Sequence, residues 1–195
     1  ATNTEEKSNF REEIRQNSDQ LFEMITDIVE LSNIDSGQMI YKPEQVDLID
    51  LLKNCARSAY KKYGKEKSKL VNLKIQVPPQ TAEFPFETDP ALMERILHNL
   101  IHNAYSFTEK GYIYLGFSPP QDGYLSLFVR DTGIGIKPED QERIFKQFEQ
   151  IDHGLTRTHG GTGLGLTFAQ KLAGHIGATV SLESVFGKGS SFMLT

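Results

Sequence analysis

Asp131-Thr132-Gly133-Ile134-Gly135-Ile136 and, further along, Gly160-Gly161-Thr162-Gly163-Leu164-Gly165-Leu166 are the two stretches on which the reading of this chain turns. The first directly follows Tyr124 to Arg130, a segment that alternates as a strand, and the second opens a helix running from Leu164 to about Ile176. Glycine lets a backbone come close to a ligand and adopt positive φ. A Gly-rich turn feeding a helix start offers unpaired N–H groups to an anion. Either cluster alone is compatible with a tight turn. Together, an Asp at the mouth of one and a helix N-terminus at the other point to a nucleotide lying between them.

A third element sharpens this. Asn is a poor residue for a helix interior unless its amide finds a partner. Asn99-Leu100-Ile101-His102-Asn103-Ala104 nevertheless puts two of them at i and i+4, on one face of a helix that Asp89-Pro90 opens and that runs to about Phe107. An amide oxygen is a suitable hard ligand for Mg2+, which keeps several waters and takes phosphate oxygens. Two Asn residues on a wet face are the plainer alternative. No GxxxxGKS/T, HExxH, GxSxG or HRD sequence occurs, so neither a P-loop nor a Ser/Thr kinase fold is on offer.

In order along the chain, Asn99 to Asn103, Asp131 to Gly135, Phe145 to Phe148 and Gly161 to Gly165 resemble the N, G1, F and G2 boxes of sensor histidine kinases. These belong to the ATPase and kinase group sharing the Bergerat nucleotide fold. Four boxes in the right order at suitable spacing make the resemblance specific, and it covers nearly the whole chain. Leu31-Ser32-Asn33-Ile34-Asp35-Ser36-Gly37 is similar to the segment that leaves the second dimerisation helix in this family, in hybrid kinases especially. The fold implied is α+β: a two-layer α/β sandwich of the histidine kinase ATPase type, a mixed sheet with helices on one face, preceded by one long N-terminal helix. Residues 1–36 are expected to be the second helix of the dimerisation and phosphotransfer bundle, and 37–195 the ATP-binding catalytic domain.

The resemblance also implies roles. Asp131 accepts a hydrogen bond from the adenine amino group; guanine presents a carbonyl oxygen instead, and leaving a charged acceptor unpaired costs about 1–3 kcal/mol or more. ATP is therefore expected over GTP. Asn103 binds Mg2+, Asn99 lies beside it and the triphosphate, and Phe107 flanks the adenine. Gly133, Gly135 and Ile136 join the ATP-binding set through the first turn. Gly161, Gly163 and Gly165 give backbone donors to the phosphates, with Thr162, Leu164 and Leu166 in the same loop. The stretch from about Asp152 to Gly160 is the expected lid, steadied by Phe145 and Phe148, one of which is as easily plain core.

The sequence departs from the family twice. The N box commonly continues with a Lys that meets the phosphates, but here the residue is Ser106, so another cation must substitute: Arg157 in the lid first, then Lys146 and Lys110. The family also phosphorylates a His in a His-Glu/Asp and Pro context, which none of the five His (His98, His102, His153, His159, His175) has. The acceptor helix is thus expected in a longer parent kinase, and this segment alone should bind ATP with little turnover. Partners implied are ATP, that acceptor helix, a response regulator or receiver domain, and a second copy of the parent protein. Two other readings are an ATP-sensing scaffold without phosphotransfer, supported by Ser106, and an ATPase of the gyrase or Hsp90 kind. The latter would need a catalytic Glu, and Glu94 precedes the Asn pair by more than a turn.

Outward from these boxes the punctuation is clear. From about Glu5 to Ile34 there is neither Gly nor Pro, and Phe10, Ile14, Asn17, Leu21, Met24, Ile28 and Leu31 are spaced 4, 3, 4, 3, 4, 3. That is a heptad seam with one polar entry, widened by Phe22, Ile25 and Val29. A solitary helix cannot bury so broad a face, so a bundle with a second chain is expected. Gly37 suits a left-handed cap, and Asp47 an N-cap for a helix through about Tyr63. Lys61 to Lys69 reads as a solvated turn. Strands are expected at Leu70–Val77, Tyr112–Phe117, Tyr124–Arg130, Thr179–Ser184 and Ser190–Leu194, and a short helix at Pro138–Phe148.

The 195 residues hold 21 basic and 26 acidic side chains, a formal charge of -5. Through Asp35 the count is three basic against nine acidic, so the whole acidic excess sits on the N-terminal element. The balance offers no general attraction to nucleic acid. A single cysteine, Cys55, excludes a disulfide framework and a multi-Cys zinc site. No apolar run is long enough to span a membrane, and the polar N-terminus is not a signal peptide. No membrane contact by this segment and a reducing cytoplasm are the expectations, whether or not the parent is anchored elsewhere.

Overall fold

A computed structural model describes residues 2–67, 70–79, 86–149 and 163–195. They form two compact units, Ala1–Met39 and Ile40–Thr195. The first is a single helix, α1 (Thr2–Asp35). It ends as its sequence dictates: Gly37 takes φ +69°, and its N–H and that of Gln38 return to the carbonyls of Ile34 and Asn33. Phe10, Ile14, Leu21, Phe22, Ile25, Ile28 and Val29 are all exposed.

The second unit runs β1 (Glu44–Gln45), α2 (Leu48–Lys67), β2 (Val71–Gln76), β3 (Glu87–Thr88), α3 (Pro90–Phe107), β4 (Gly111–Phe117), β5 (Leu127–Asp131), two 3-10 turns (Pro138–Asp140 and Arg143–Phe145), α4 (Gly165–His175), β6 (Val180–Val185) and β7 (Gly189–Leu194). Five strands form one sheet in the order β2-β4-β5-β7-β6, with β2 parallel to β4 and every other pair antiparallel. Register puts Ile113 opposite Asp131, Leu115 opposite Val129 and Phe117 opposite Leu127, so these side chains share one face with Phe192 and Leu194. That face is buried under α2, α3 and α4, while Tyr112 and Arg130 on the opposite face are exposed. The mixed sheet with helices on one face is the expected sandwich.

Side-chain caps close the starts of α2 and α3. Asp47 Oδ1 accepts from the N–H groups of Ile49 and Asp50 at the start of α2. Asp89 caps α3 with Oδ1, and with Oδ2 accepts from Lys42 N–H, 2.9 Å away. The ribbon of β1 with β3, which this second bond supports, was not expected from the sequence.

Three expectations are corrected. Lys61 to Lys69 is no turn as far as Lys67: α2 continues because Tyr63 stacks on Tyr105 of α3 and its hydroxyl lies 2.8 Å from His102 Nδ1. The fifth strand begins at Leu127 rather than Tyr124, which closes a tight turn with Gln121 through Asp122 and Gly123, both at positive φ. Pro138–Phe148 is two 3-10 turns rather than a helix. Lys146 is extended and Phe148 sits at φ +62°, because the Phe148 N–H is drawn away to the carbonyl of Gly163.

Candidate nucleotide-binding site

Asp131 is the last residue of β5 and points, by register, into the helix-covered layer. The residue is 6% exposed. Oδ1 accepts from the N–H groups of Gly133 (2.8 Å) and Ser190 (3.3 Å), and among the described residues Oδ2 has no partner. Burial pushes the carboxyl above its ordinary 3.8, against the pull of those two backbone donors. The turn that follows needs glycine. A Cβ on Gly133 would strike the Phe107 carbonyl oxygen, and one on Gly135, at φ +65°, the carbonyl of Val185. Ile134 N–H bonds to Phe107 O at 3.2 Å, so the first glycine turn is tied to the end of α3.

Along α3, Asn99, Asn103 and Phe107 follow at intervals of four on one stripe. Asn99 Nδ2 donates to the Arg95 carbonyl, and its Oδ1 lies where a Cβ on Gly165 would come within 3.0 Å. The second glycine cluster therefore begins against the first Asn. Asn103 Nδ2 is buried and has no partner among the described residues. A buried amide donor without a partner is costly, so Nδ2 suits an acceptor from outside the described residues, such as a phosphate oxygen. Phe107 is 39% exposed. His98 and His102 occupy the neighbouring stripe toward α2: burial lowers the pKa of His98, and His102 Nδ1 lies 2.8 Å from the Tyr63 hydroxyl. Glu94 acts on His98 and Cys55, away from the Asn pair.

Gly163, at φ +70°, rests against the backbone of Phe148, and Leu164 is buried. Among the described residues no side chain caps α4, which starts at Gly165 and continues through Leu166, and a helix N-terminus of this kind suits an anion. The Phe145 carbonyl accepts from Thr167 Oγ1 at 2.9 Å while its ring meets Phe192 edge-on. Phe145 is half-buried and Phe148 exposed. Arg157, Gly161, Thr162 and the expected lid from Asp152 to Gly160 lie outside the described residues. Ser106 is half-buried. Of the cations, Arg143 is held by Asp140 and Glu149, whereas Lys110 and Lys146 are exposed and, among the described residues, make no ion pair.

Mg2+ is consistent with these residues. No cluster of three His, Cys, Asp or Glu exists among the described residues. A metal here would take one amide oxygen from Asn103 and the rest from phosphate and water, as Mg2+ does.

Residues 88–195 match the family described as histidine kinase-, DNA gyrase B- and HSP90-like ATPase. The chain belongs to this family. It is 34% identical over 190 residues to the signal transduction histidine-protein kinase BarA of Escherichia coli, covering 92% of this chain and 20% of that protein. With the circadian input-output histidine kinase CikA of Synechococcus elongatus it shares 32% over 193 residues, covering 97% of this chain and 25% of CikA. The chain thus spans a quarter or less of these curated relatives. Among solved structures, full-length ShkA in complex with AMPPNP superposes with a TM-score of 0.79 at 26% identity, covering 92% of this chain and 36% of ShkA. The matched segment is a catalytic ATP-binding domain of the sensor histidine kinase kind.

The sequence reading missed Gln141, Ser184 and Ser190. Ser184 Oγ accepts from the Ile136 N–H at 2.8 Å, and Gln141 Nε2 donates to the carbonyls of Ile136 and Ser184. The hairpin signal Gly187-Lys188-Gly189 was legible, but that its serines reach the Asp131 turn depends on β5 and β7 being neighbours.

Proposed function

We propose that this chain is the catalytic part of a sensor protein-histidine kinase, delivering the γ-phosphate of ATP to a His on a dimerisation helix that this sequence does not contain, for phosphorelay to a response regulator or receiver domain. The observation that carries the reading is the state of Asp131: one oxygen saturated by two backbone N–H groups, the other left for an outside donor. The exocyclic amine of adenine supplies that donor.

Each remaining residue then has work. Phe107 flanks the base, with Gly133, Gly135 and Ile136 shaping the turn beside it. Asn99 lies by the triphosphate, and the Gly163–Leu166 backbone at the start of α4 donates to its oxygens. Asn103 holds Mg2+, which when bound neutralises charge on the phosphate oxygens. Arg157, or Lys146 or Lys110, provides the cation that Ser106 does not. The seated γ-phosphate is open to in-line attack by an imidazole nitrogen: an N–P bond forms, the bond to the bridging oxygen breaks, and ADP leaves. The parent protein is a homodimer with this domain on the cytoplasmic side, where ATP is; no helix among the described residues is long and apolar enough to cross a membrane.

Calorimetric titration with ATP and GTP in the presence of Mg2+ tests the site. ATP binding with a marked preference over GTP is expected, and equal affinities would end the adenine reading. Phosphotransfer is tested by adding γ-labelled ATP and a separately produced acceptor-helix segment of the parent kinase. Label on its histidine is expected; ATP binding without label would leave the ATP-sensing scaffold that Ser106 favours.

A further inference from the structure

We infer that Ser184 and Gln141 are positioning residues of the nucleotide site: they clasp the Ile136 peptide and thereby hold Asp131 in the geometry that selects adenine. The inference rests on the ATP reading above and names two residues that touch no part of the nucleotide in it.

The Ser184 hydroxyl has three neighbours at bonding distance. It accepts from the Ile136 N–H at 2.8 Å, donates to the Gly189 carbonyl at 3.0 Å, and lies 3.0 Å from the Ser190 hydroxyl, which completes the set as a donor. One donor and two acceptor positions are all a hydroxyl owns, and all are used. Gln141 Nε2 spends both of its hydrogens on the carbonyls of Ile136 and Ser184, each at 3.1 Å. The N–H and the C=O of one peptide in the first glycine turn are thus each fastened by a side chain from elsewhere.

The clasp reaches Asp131 by a short path. Ser190 N–H is one of the two donors that saturate Oδ1. Gly189 packs so tightly on the Asp131 carbonyl that it has no room for a Cβ, and Gly187 N–H bonds to Ile134 O at 2.7 Å. The β6–β7 hairpin does not need the Ser184 hydroxyl to form, because Ser184 already faces Ser190 in the backbone register. What the hydroxyl adds is the connection between that hairpin and the turn. Without it the strands still pair, but Ile136 and Ser190 are free to drift, and with them the donor that decides which oxygen of Asp131 is left for the base.

The test is a calorimetric titration of the full chain with Mg-ATP and Mg-GTP, each variant first checked by a circular dichroism melt. Ser184→Ala should lower ATP affinity about tenfold, as expected for loss of a part-buried, fully bonded hydroxyl, and narrow the ATP-to-GTP ratio. Ser184→Thr, which keeps the hydroxyl on a strand position suited to a β-branched residue, should restore both. Gln141→Ala should do the same as Ser184→Ala to a lesser degree, and it carries the test if Ser184→Ala does not fold. Wild-type affinity and wild-type nucleotide preference in a folded Ser184→Ala or Gln141→Ala, even with a lowered melting point, would overturn the clasp and leave the ATP reading standing. A wild-type chain that binds no ATP, or an Asp131→Asn variant that binds it as well as wild type, would overturn both.

Discussion

The two units of this chain treat their apolar residues in opposite ways. Along α3, Leu92, Met93, Ile96, Leu97, Leu100, Ile101 and Ala104 are buried within their own unit, whereas on α1 seven large apolar side chains from Phe10 to Val29 stand 48–72% exposed. Full burial of each such residue is worth about 1.5–3 kcal/mol, so the face of α1 represents a large unrealised gain. The contrast teaches that Ile40–Thr195 carries its own core, together with Asp131, Asn99, Asn103 and the first glycine turn, while α1 leaves its apolar face exposed. We propose that its heptad spacing serves a second helix of the same kind. Nucleotide binding should therefore answer to substitutions in the second unit and ignore those in the first.

The largest effect is expected at Asp131. In Asp131→Asn the amide oxygen must serve Gly133 and Ser190, which turns Nδ2, a donor, toward the donor of adenine. ATP affinity should fall by roughly a hundredfold, the cost of losing a charged hydrogen bond and facing two donors together. The same position links binding to pH. Because burial raises the Asp131 pKa above 3.8, the native state takes up this proton more readily than the unfolded chain. Its contribution to stability is whole below about that ordinary value and is lost as pH rises through the raised one. The ionised carboxylate is a cost to the nucleotide-free fold at neutral pH, and in the proposed site the adenine amine offsets it. Nucleotide-free Asp131→Asn should then melt no lower than wild type at pH 7. Wild-type ATP affinity should weaken as pH falls from 7 toward the raised pKa, and the variant should lack that dependence. A clearly lower melting point for the variant would show Asp131 to be a structural residue first.

A smaller loss, about tenfold, is expected for Asn103→Ala, which removes one oxygen from a metal that phosphates and water otherwise hold. The measurement that sharpens it is titration with and without EDTA. Wild type should drop to the level of the variant when Mg2+ is removed, and the variant should hardly respond. Equal responses to EDTA would take the metal away from Asn103. Smaller again is Phe107→Ala, where removing a half-exposed ring that flanks the base should cost about three- to tenfold in ATP affinity, in line with the worth of an aromatic contact.

These expectations differ in how far the sequence alone could have led to them. Asp131, Asn99 and Asn103 were legible because each breaks a local preference: a carboxylate in an otherwise apolar strand register, and amides inside a helix. Gly133, Gly135 and Gly163 were legible as glycines, and the structure supplies the reason, a close carbonyl or backbone neighbour at each. The five strands of the main sheet, apart from the start of β5, and α3 and α4 followed from periodicity, whereas the β1–β3 ribbon did not. What failed was where a long-range bond overrode local pattern. Tyr63 draws α2 on past its expected end, and the pull of Gly163 on Phe148 unmakes the short helix. Ser184 and Gln141 were invisible for a related reason. Serine in a strand and glutamine in a polar turn break no local rule, and only the adjacency of β5, β7 and β6 shows what they hold.

The last prediction tests the other half of the contrast and should not move ATP affinity at all. Leu21→Asp with Ile28→Asp places two charges on the heptad face of α1, where helix propensity suffers little and packing against a second copy suffers most. If α1 is half of an interface, wild type should sediment as a dimer at micromolar concentration and the double variant as a monomer, because a buried unpaired carboxylate is not tolerated at such a seam. ATP affinity of the variant should stay within about twofold of wild type, inside the scatter expected for an exposed substitution outside the unit that holds the site. Two results would break the contrast. A wild-type monomer would mean that the exposed face serves some partner other than its own copy. A double variant that lost ATP binding while keeping its melting point would mean that the catalytic unit depends on α1, and that the nucleotide site is less complete in itself than its core and its hydrogen bonds indicate.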